Sequence, residues 1–271
     1  AFEAAVAWLF GAPRLAPDDA DTKRGDIHVG LIGDPGTGKR SLAKALTEIA
    51  PRCEFASGPG LSSGVGLTAA AVQEEFAGKT EWALNPGVLP RANGGHCVID
   101  EIDKAPGDGV NKIHDALEGA QQITVNKADI DATLPTRTAL LAIGNPVDGR
   151  WDPNVAVAEQ LDLDPALVDR MDVLLELRDE VDQEADRATA EHILDAWSES
   201  ADLDAYERGD RADEPERDVT ERPVPAEVLR AWIAHAREAV HPTLSDAAHD
   251  RLAEFYVEVR TLNDPDDTQG P

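Results

Sequence analysis

Residues 33–39 read Gly33-Asp34-Pro35-Gly36-Thr37-Gly38-Lys39 and fit the pattern G-x-x-x-x-G-K. An apolar run, Ile27 to Ile32, precedes them. A segment of helical periodicity, Arg40 to Ile49 with Leu42, Ala45, Leu46 and Ile49 on one face, follows them. Strand, glycine loop and helix in that order are the context this pattern needs. The glycines allow backbone N–H groups to point inward at phosphates, and the helix N-terminus adds partial positive charge. Lys39 is expected to reach the β- and γ-phosphates of a nucleoside triphosphate, ATP in this reading. The candidate binding set is Gly33, Asp34, Pro35, Gly36, Thr37, Gly38, Lys39, Arg40 and Ser41. One member is unusual. The position after the lysine is normally Ser or Thr, whose hydroxyl holds Mg²⁺; here it is Arg40. Ser41 comes one residue later, about 100° further round a helix, and is not expected to substitute without a local shift.

Downstream, Cys97-Val98-Ile99-Asp100-Glu101 is an apolar strand ending in two acids. Such a pair is common in plain solvated loops. Behind a phosphate loop it reads as a Walker B element, with Asp100 toward Mg²⁺ and Glu101 polarising the attacking water. Asn145 ends a further strand, Ala139 to Ile143, where an amide can hold that water as sensor 1. Arg170 precedes a fourth strand, Val173 to Leu177, and is the candidate arginine finger toward a neighbouring subunit. The bland alternative pairs it with Asp169 or Asp172. Between these elements, residues 57–66 read as a Gly/Ser-rich loop and Ala69 to Phe76 as a short helix. Trp82 to Leu89 reads as extended and Val110 to Leu117 as helical. Gln122 to Val125 and Ile130 to Ala132 form a hairpin around the turn Asn126-Lys127-Ala128-Asp129. Apolar strands alternating with helices predict an α/β fold with a mainly parallel sheet covered on both faces.

After Asp179 the pattern is helical over 183–197. An acidic, apolar-poor linker follows over 198–225, then two amphipathic helices, Pro225 to Val240 and Leu244 to Val259. The expected division is an ATPase core at 1–180, a helix and linker at 181–225, and a partial helical lid at 226–271.

The chain has 271 residues with 53 Asp and Glu against 25 Lys and Arg, a net charge of −28. Only 7 of the basic residues are Lys, and the acids are spread along the chain. This resembles the solvated surface of a salt-loving cytosolic protein rather than an acidic tail. Any DNA contact must then be local. Two cysteines, Cys53 and Cys97, suit buried small hydrophobes in a reducing cytosol rather than a disulfide framework or zinc site. No apolar stretch approaches the ~18 residues of a membrane span, and no signal peptide is evident. The sequence opens with Ala1 inside a helical pattern, so a fragment is expected.

The order and wording of these elements resemble the minichromosome maintenance (MCM) helicases, an AAA+ family. The resemblance rests on Arg24-Gly25-Asp26-Ile27-His28, Ile49-Ala50-Pro51-Arg52, Gly66-Leu67-Thr68-Ala69-Ala70, Asn93-Gly94-Gly95, Cys97 to Lys104 and Ile113 to Glu118. It continues through Ala132-Thr133-Leu134, Arg137-Thr138, Asn145-Pro146, Asp169-Arg170-Met171-Asp172 and Phe255 to Arg260. What the resemblance implies is a hexameric ring motor that unwinds duplex DNA with ATP, built from identical or partner MCM subunits, with a haloarchaeal source expected. Residues 67–90 would be the helix-2 insert and 122–132 the pre-sensor 1 hairpin, with Lys127 touching DNA phosphate in the channel. The departures are Arg40, Met171 in place of the usual Phe, and the expectation that the family's N-terminal domain and sensor 2 arginine lie outside this sequence, Arg260 being too early. Two alternatives stand beside it. One is a degenerate MCM paralogue that binds nucleotide without efficient turnover. The other is a chelatase- or chaperone-like helix-2-insert ATPase that remodels protein.

Overall fold

A computed structural model describes residues 1–15, 23–61, 66–76, 79–118, 121–127, 130–215, 219 and 222–262. In chain order the elements are α1 (Phe2–Phe10), β1 (Val29–Gly33), α2 (Lys39–Ile49), β2 (Cys53–Ser57), β3 (Ala69–Phe76) and β4 (Lys79–Pro86). Next come α3 (Val88–Arg91), β5 (Gly95–Asp100), α4 (Gly107–Leu117), β6 (Gln122–Lys127), β7 (Ile130–Pro135) and β8 (Thr138–Gly144). The last are α5 (Pro165–Val168), β9 (Val173–Leu177), α6 (Gln183–Glu207), α7 (Ala226–Ala239) and α8 (Asp246–Leu262). The chain divides into two units, Ala1–Arg237 and Glu238–Pro271. The second contains α8.

The larger unit is built on a parallel five-stranded sheet of order β2-β5-β8-β1-β9. Its middle strands read VGLIG, GHCVID and TALLAIG, and every position in them is buried. Continuous apolar strands of this kind require cover on both faces. Alternation splits β8 accordingly. Leu140 and Ala142 face a layer containing Ile113 and Leu117 of α4 and Leu167 of α5. Ala139, Leu141 and Ile143 face α1, α2 and α7 through Trp8, Ala43, Leu46 and Ile233. Each fully buried Leu or Ile contributes roughly 1.5–3 kcal/mol. The indole of Trp8 is matched inside this core: its Nε1 donates to Ala139 O at 3.1 Å, and its ring lies 4.6 Å from that of His96. Arg24 grips Asp172 through two hydrogen bonds of 2.7 and 2.9 Å, tying the segment before β1 to the one before β9.

The register decides where the site lies. Ile32 pairs with Gly144, Ile99 with Ala142, and Gly33 with Leu177. The C-terminal ends of β1, β5 and β8 are therefore side by side, the edge of an open α/β sheet where ligands bind.

Three segments differ from expectation. Cys53–Ser57, not read as a strand, is β2, a half-buried edge that pairs with β5 from Cys53↔His96 to Ser57↔Asp100. Ala69–Phe76 is not a helix but strand β3, paired antiparallel with β4 from Ala69↔Pro86 to Phe76↔Lys79. Its Ala, Gln and Glu residues favour helix in isolation, and the pairing with β4 overrides them. Helix α6 continues ten residues past the expected end, to Glu207, with no buried residue. Asp182 caps it by accepting from the N–H groups of Glu184 and Ala185, and Arg187 pairs with Glu191 one turn on. Its length of Ala, Leu, Glu and Arg forms helix without an apolar stripe to reveal it. The hairpin of β6 and β7 has the expected alternation, with Ile123 and Val125 buried. Ala128 and Asp129 at its turn, the Lys127 side chain, the Asp run at 18–21, Ser62–Val65 of the glycine-rich loop and the polar tail past residue 262 lie outside the described residues.

Candidate functional site

The loop from β1 to α2 takes its shape from two backbone conformations. Gly36 has φ of 88° and Gly38 of 77°, and a Cβ at either would meet nothing within 4 Å. Glycine is demanded there by the left-handed backbone, which costs other residues roughly 1–2 kcal/mol. At Gly33 the reason is space: a Cβ would stand 2.4 Å from Leu177 O, because β1 and β9 approach closely. Asp34 anchors the loop from below. Its N–H donates to Leu177 O at 2.9 Å, and its carboxylate accepts from the N–H groups of Trp151 at 2.8 Å and Asp179 at 2.9 Å. Burial alone would raise the Asp34 pKa, but these two N–H bonds, together with the nearby charges of Arg150 and Lys39, outweigh it and hold the carboxyl below its ordinary range. Asp34 was expected as a phosphate-loop residue; it buttresses the loop instead of lining the cavity above it.

Lys39 opens α2 and is buried. Its Nζ donates to Gly33 O at 2.8 Å, to Asp34 O at 2.6 Å and, at 3.3 Å, to Thr37 Oγ1. Burial lowers its pKa, and the neighbouring carboxylates of Asp34, Asp103 and Asp100 oppose that. An ammonium so placed can exchange these oxygens for phosphate oxygens without crossing solvent.

Asp100 ends β5 and is buried. Its Oδ1 accepts from Glu101 N at 3.0 Å, and its Oδ2 lies 3.2 Å from Arg40 Nε. Glu101 has φ of 56°, a left-handed conformation unusual for a non-glycine residue, which aims it away from the strand line. Its carboxylate pairs with Lys104, and that hydrogen bond holds its pKa low. Asn145 follows β8, with its N–H donating to Asp103 Oδ1 at 3.3 Å. Gly144 is small because a Cβ would stand 2.9 Å from the same Asp103 oxygen. Burial raises the Asp103 pKa.

These residues enclose one cavity of about 330 Å³, lined by Gly36 to Ser41 and by Asp100, Glu101, Ile143, Gly144 and Asn145. Nine expected site residues therefore meet there; Gly33, Asp34 and Pro35 do not line it. Arg170 stands apart. Its Nη2 lies 3.4 Å from Glu118 Oε1 and 3.4 Å from His114 Nε2, both presented by the α4 end of the unit. It pairs with neither Asp169 nor Asp172, since Asp172 is held by Arg24 and by the His28 N–H. Three contributors went unread in the sequence: the Asp34 buttress, Lys104 on Glu101, and Asp103 under Asn145. Only Lys104, three residues after Glu101, carried a readable spacing.

The donor set does not fit a magnesium site of the usual kind. No hydroxyl follows Lys39, and both Asp100 oxygens are engaged, one by a guanidinium. Among the described residues no group of three or more His, Cys, Asp or Glu is placed to hold a metal ion. What the arrangement does offer is a glycine loop at a helix N-terminus, two cations and an amide for a chain of phosphates. Among the described residues no helix is long and apolar enough to cross a membrane.

The family model described as the MCM P-loop domain matches residues 3–197. Mcm2, a DNA replication licensing factor of Drosophila melanogaster, is 34% identical over 252 residues, covering 93% of this chain and 28% of its own. The licensing factor MCM4 of Arabidopsis thaliana is 36% identical, with the same 93% and 28% coverage. The minichromosome maintenance protein MCM of Saccharolobus solfataricus is 36% identical over 256 residues, covering 94% of this chain and 34% of its own. The chain thus spans about a third of the length of these relatives or less.

Proposed function

The chain belongs to the MCM family, and from that premise we propose that it is the ATP-binding motor core of an MCM-type DNA helicase acting in replication. The observation that carries this proposal is the meeting of Lys39, Asp100, Glu101 and Asn145 in one cavity at the ends of three adjacent strands. In the proposed cycle Lys39 binds the β- and γ-phosphates. Glu101, released from Lys104, accepts the proton of the attacking water, and Asn145 holds that water by its amide. Arg170, outside its own chain's cavity, serves the site of the next subunit in a ring of like or partner MCM subunits. The β6–β7 hairpin carries Lys127 to DNA phosphate in the channel. Mg²⁺, the usual companion of the triphosphate, would have to take Asp100 from Arg40. The MCM match and the hairpin favour this function over a chelatase- or chaperone-like one. The acidic surface suits a cytoplasm of high salt.

The test is hydrolysis of ATP at molar KCl with and without single-stranded DNA, the native chain against Glu101→Gln. Weak turnover that responds to DNA and disappears in the variant is expected. Turnover unchanged in Glu101→Gln would remove the cavity from the mechanism. One observation favours a second reading, a subunit that binds nucleotide without efficient hydrolysis: the Arg40 to Asp100 ion pair.

A further inference from the structure

The first turn of α2 places two cations in succession at the mouth of the cavity. Lys39 turns inward and is satisfied by loop oxygens. Arg40 turns across the mouth to the β5 end, where its Nε meets Asp100 Oδ2 at 3.2 Å. The Arg40 side chain is 81% exposed while that of Asp100 is 10% exposed, so the guanidinium caps the carboxylate from the open side. Both residues line the phosphate cavity. The contact is an ion pair through Nε, and Arg40 donates no hydrogen bond to the described residues, so its two terminal nitrogens, the donors of the planar fork that matches phosphate oxygens, are left for a ligand. A cation lying between the strand-end carboxylate and the phosphates is what a divalent ion ordinarily supplies. A magnesium ion there would need octahedral oxygen ligands at about 2.0–2.1 Å. A guanidinium already on Asp100 is incompatible with it. Ser41 also borders the cavity but does not displace Arg40 from the carboxylate.

We propose that Arg40 takes the place of the divalent cation, so that this chain binds nucleoside triphosphates without Mg²⁺, the guanidinium bridging Asp100 and the phosphate chain. The proposal rests on the nucleotide-binding function above and specifies its ligand: the free, metal-less triphosphate. It also accounts for the mismatch between an intact phosphate loop and an absent hydroxyl. Bridging by guanidinium neutralises Asp100 and phosphate together but polarises no water, so binding and turnover separate at this one residue.

The experiment is calorimetric titration of ATP into the chain at molar KCl, in EDTA and in excess Mg²⁺, for the native protein, Arg40→Ser, Arg40→Lys and Lys39→Ala, each checked for folding by circular dichroism. Arg40 is exposed, so its substitution leaves the core untouched. The native chain is expected to bind ATP with affinities within about threefold in the two conditions, whereas Arg40→Ser loses about tenfold or more in EDTA and recovers in Mg²⁺. Arg40→Lys, which keeps the charge and loses the fork, is expected between them, and Lys39→Ala should bind in neither. A native chain that needs Mg²⁺ as strongly as Arg40→Ser does overturns the proposal and leaves nucleotide binding standing. A folded native chain that binds no ATP in either condition overturns both.

Discussion

Arg40 Nε stands 3.2 Å from Asp100 Oδ2, a guanidinium on the carboxylate that ends the Walker B strand. The pair is mostly open to water on the arginine side, so screening weakens it and either partner can be drawn away. In the proposed cycle hydrolysis would need Asp100 for a metal, and Arg40 would compete for it. Arg40→Ser restores a hydroxyl beside Lys39 and frees Asp100. Steady-state ATP turnover in Mg²⁺ is expected to rise several-fold over the native chain. A native rate already at the level of the variant would show that Arg40 does not limit the site.

Three glycines of the loop should fail for different reasons when replaced by alanine. Gly36→Ala and Gly38→Ala meet no neighbour, so only the left-handed backbone is penalised, by roughly 1–2 kcal/mol each. Gly33→Ala puts a methyl group 2.4 Å from Leu177 O and must separate β1 from β9. Thermal unfolding should rank Gly33→Ala as the most damaging. Nucleotide affinity, measured on the folded fraction, should fall for Gly36→Ala and Gly38→Ala, whose N–H groups form the cradle. Equal melting temperatures for all three would remove the close-approach argument.

The Asp34 carboxylate makes stability depend on pH. Its folded pKa is depressed, so the stabilisation is present above the unfolded value of 3.8 and is lost as pH falls through the lower folded value. Asp34→Ala leaves the buried Trp151 N–H without its acceptor, an expected loss of about 1–3 kcal/mol at neutral pH. Asp34→Asn retains one acceptor and removes the charge. Denaturant midpoints measured as pH is lowered from 7 through and below 3.8 should therefore converge for the native chain and Asp34→Asn at the acid end, while Asp34→Ala, with no acceptor at any pH, stays below both. A constant gap across that range would contradict the linkage.

How much of this was legible beforehand depended on whether the signal was local. The phosphate loop, the Asp100-Glu101 pair and the strand ends were readable because strand, turn and helix lie within one stretch of chain. The strand β3 was not, because Ala69 to Glu75 carries helix-forming residues and becomes a strand only through pairing with Ala83 and Asn85 across the hairpin. Strand β2 was missed because an edge strand with one half-buried face has neither a continuous apolar run nor clean alternation. The Asp34 clamp joins residues over a hundred positions apart, and no pattern in sequence announces it. Arg40 was the opposite case: its identity was plain at once, and its partner came only with the fold.

Arg170 touches Glu118 and His114 of its own chain and lies outside its own phosphate cavity. If it serves a neighbour, two inactive variants should complement. Glu101→Gln supplies a sound arginine and a dead site; Arg170→Ala supplies a sound site and no arginine. Random mixing in a ring gives about a quarter of interfaces with both groups intact. ATPase assays of the one-to-one mixture should recover activity that neither variant has alone, on a background permissive for turnover such as Arg40→Ser. No recovery in a mixture shown by native mass spectrometry to co-assemble would place Arg170 in a purely internal role.

The hairpin gives the last prediction. β6 and β7 pair over their full length from Gln122↔Pro135 to Lys127↔Ile130, and Ile123 and Val125 anchor the base in the core. The anchored base makes Lys127, at the far end, a replaceable residue: Lys127→Ala should not alter folding. In a chain of net charge −28, a lysine in the turn region of a hairpin offers a phosphate backbone local attraction against a repelling surface. Fluorescence anisotropy with labelled single-stranded DNA should show weaker binding by Lys127→Ala and a shallower fall of affinity with salt, since one phosphate contact per subunit is removed. ATP affinity, measured alongside, should not change, because the hairpin and the phosphate loop share no residue. DNA affinity equal to that of the native chain across the salt series would exclude the hairpin as the contact, and the search for one would pass to the β3–β4 ribbon.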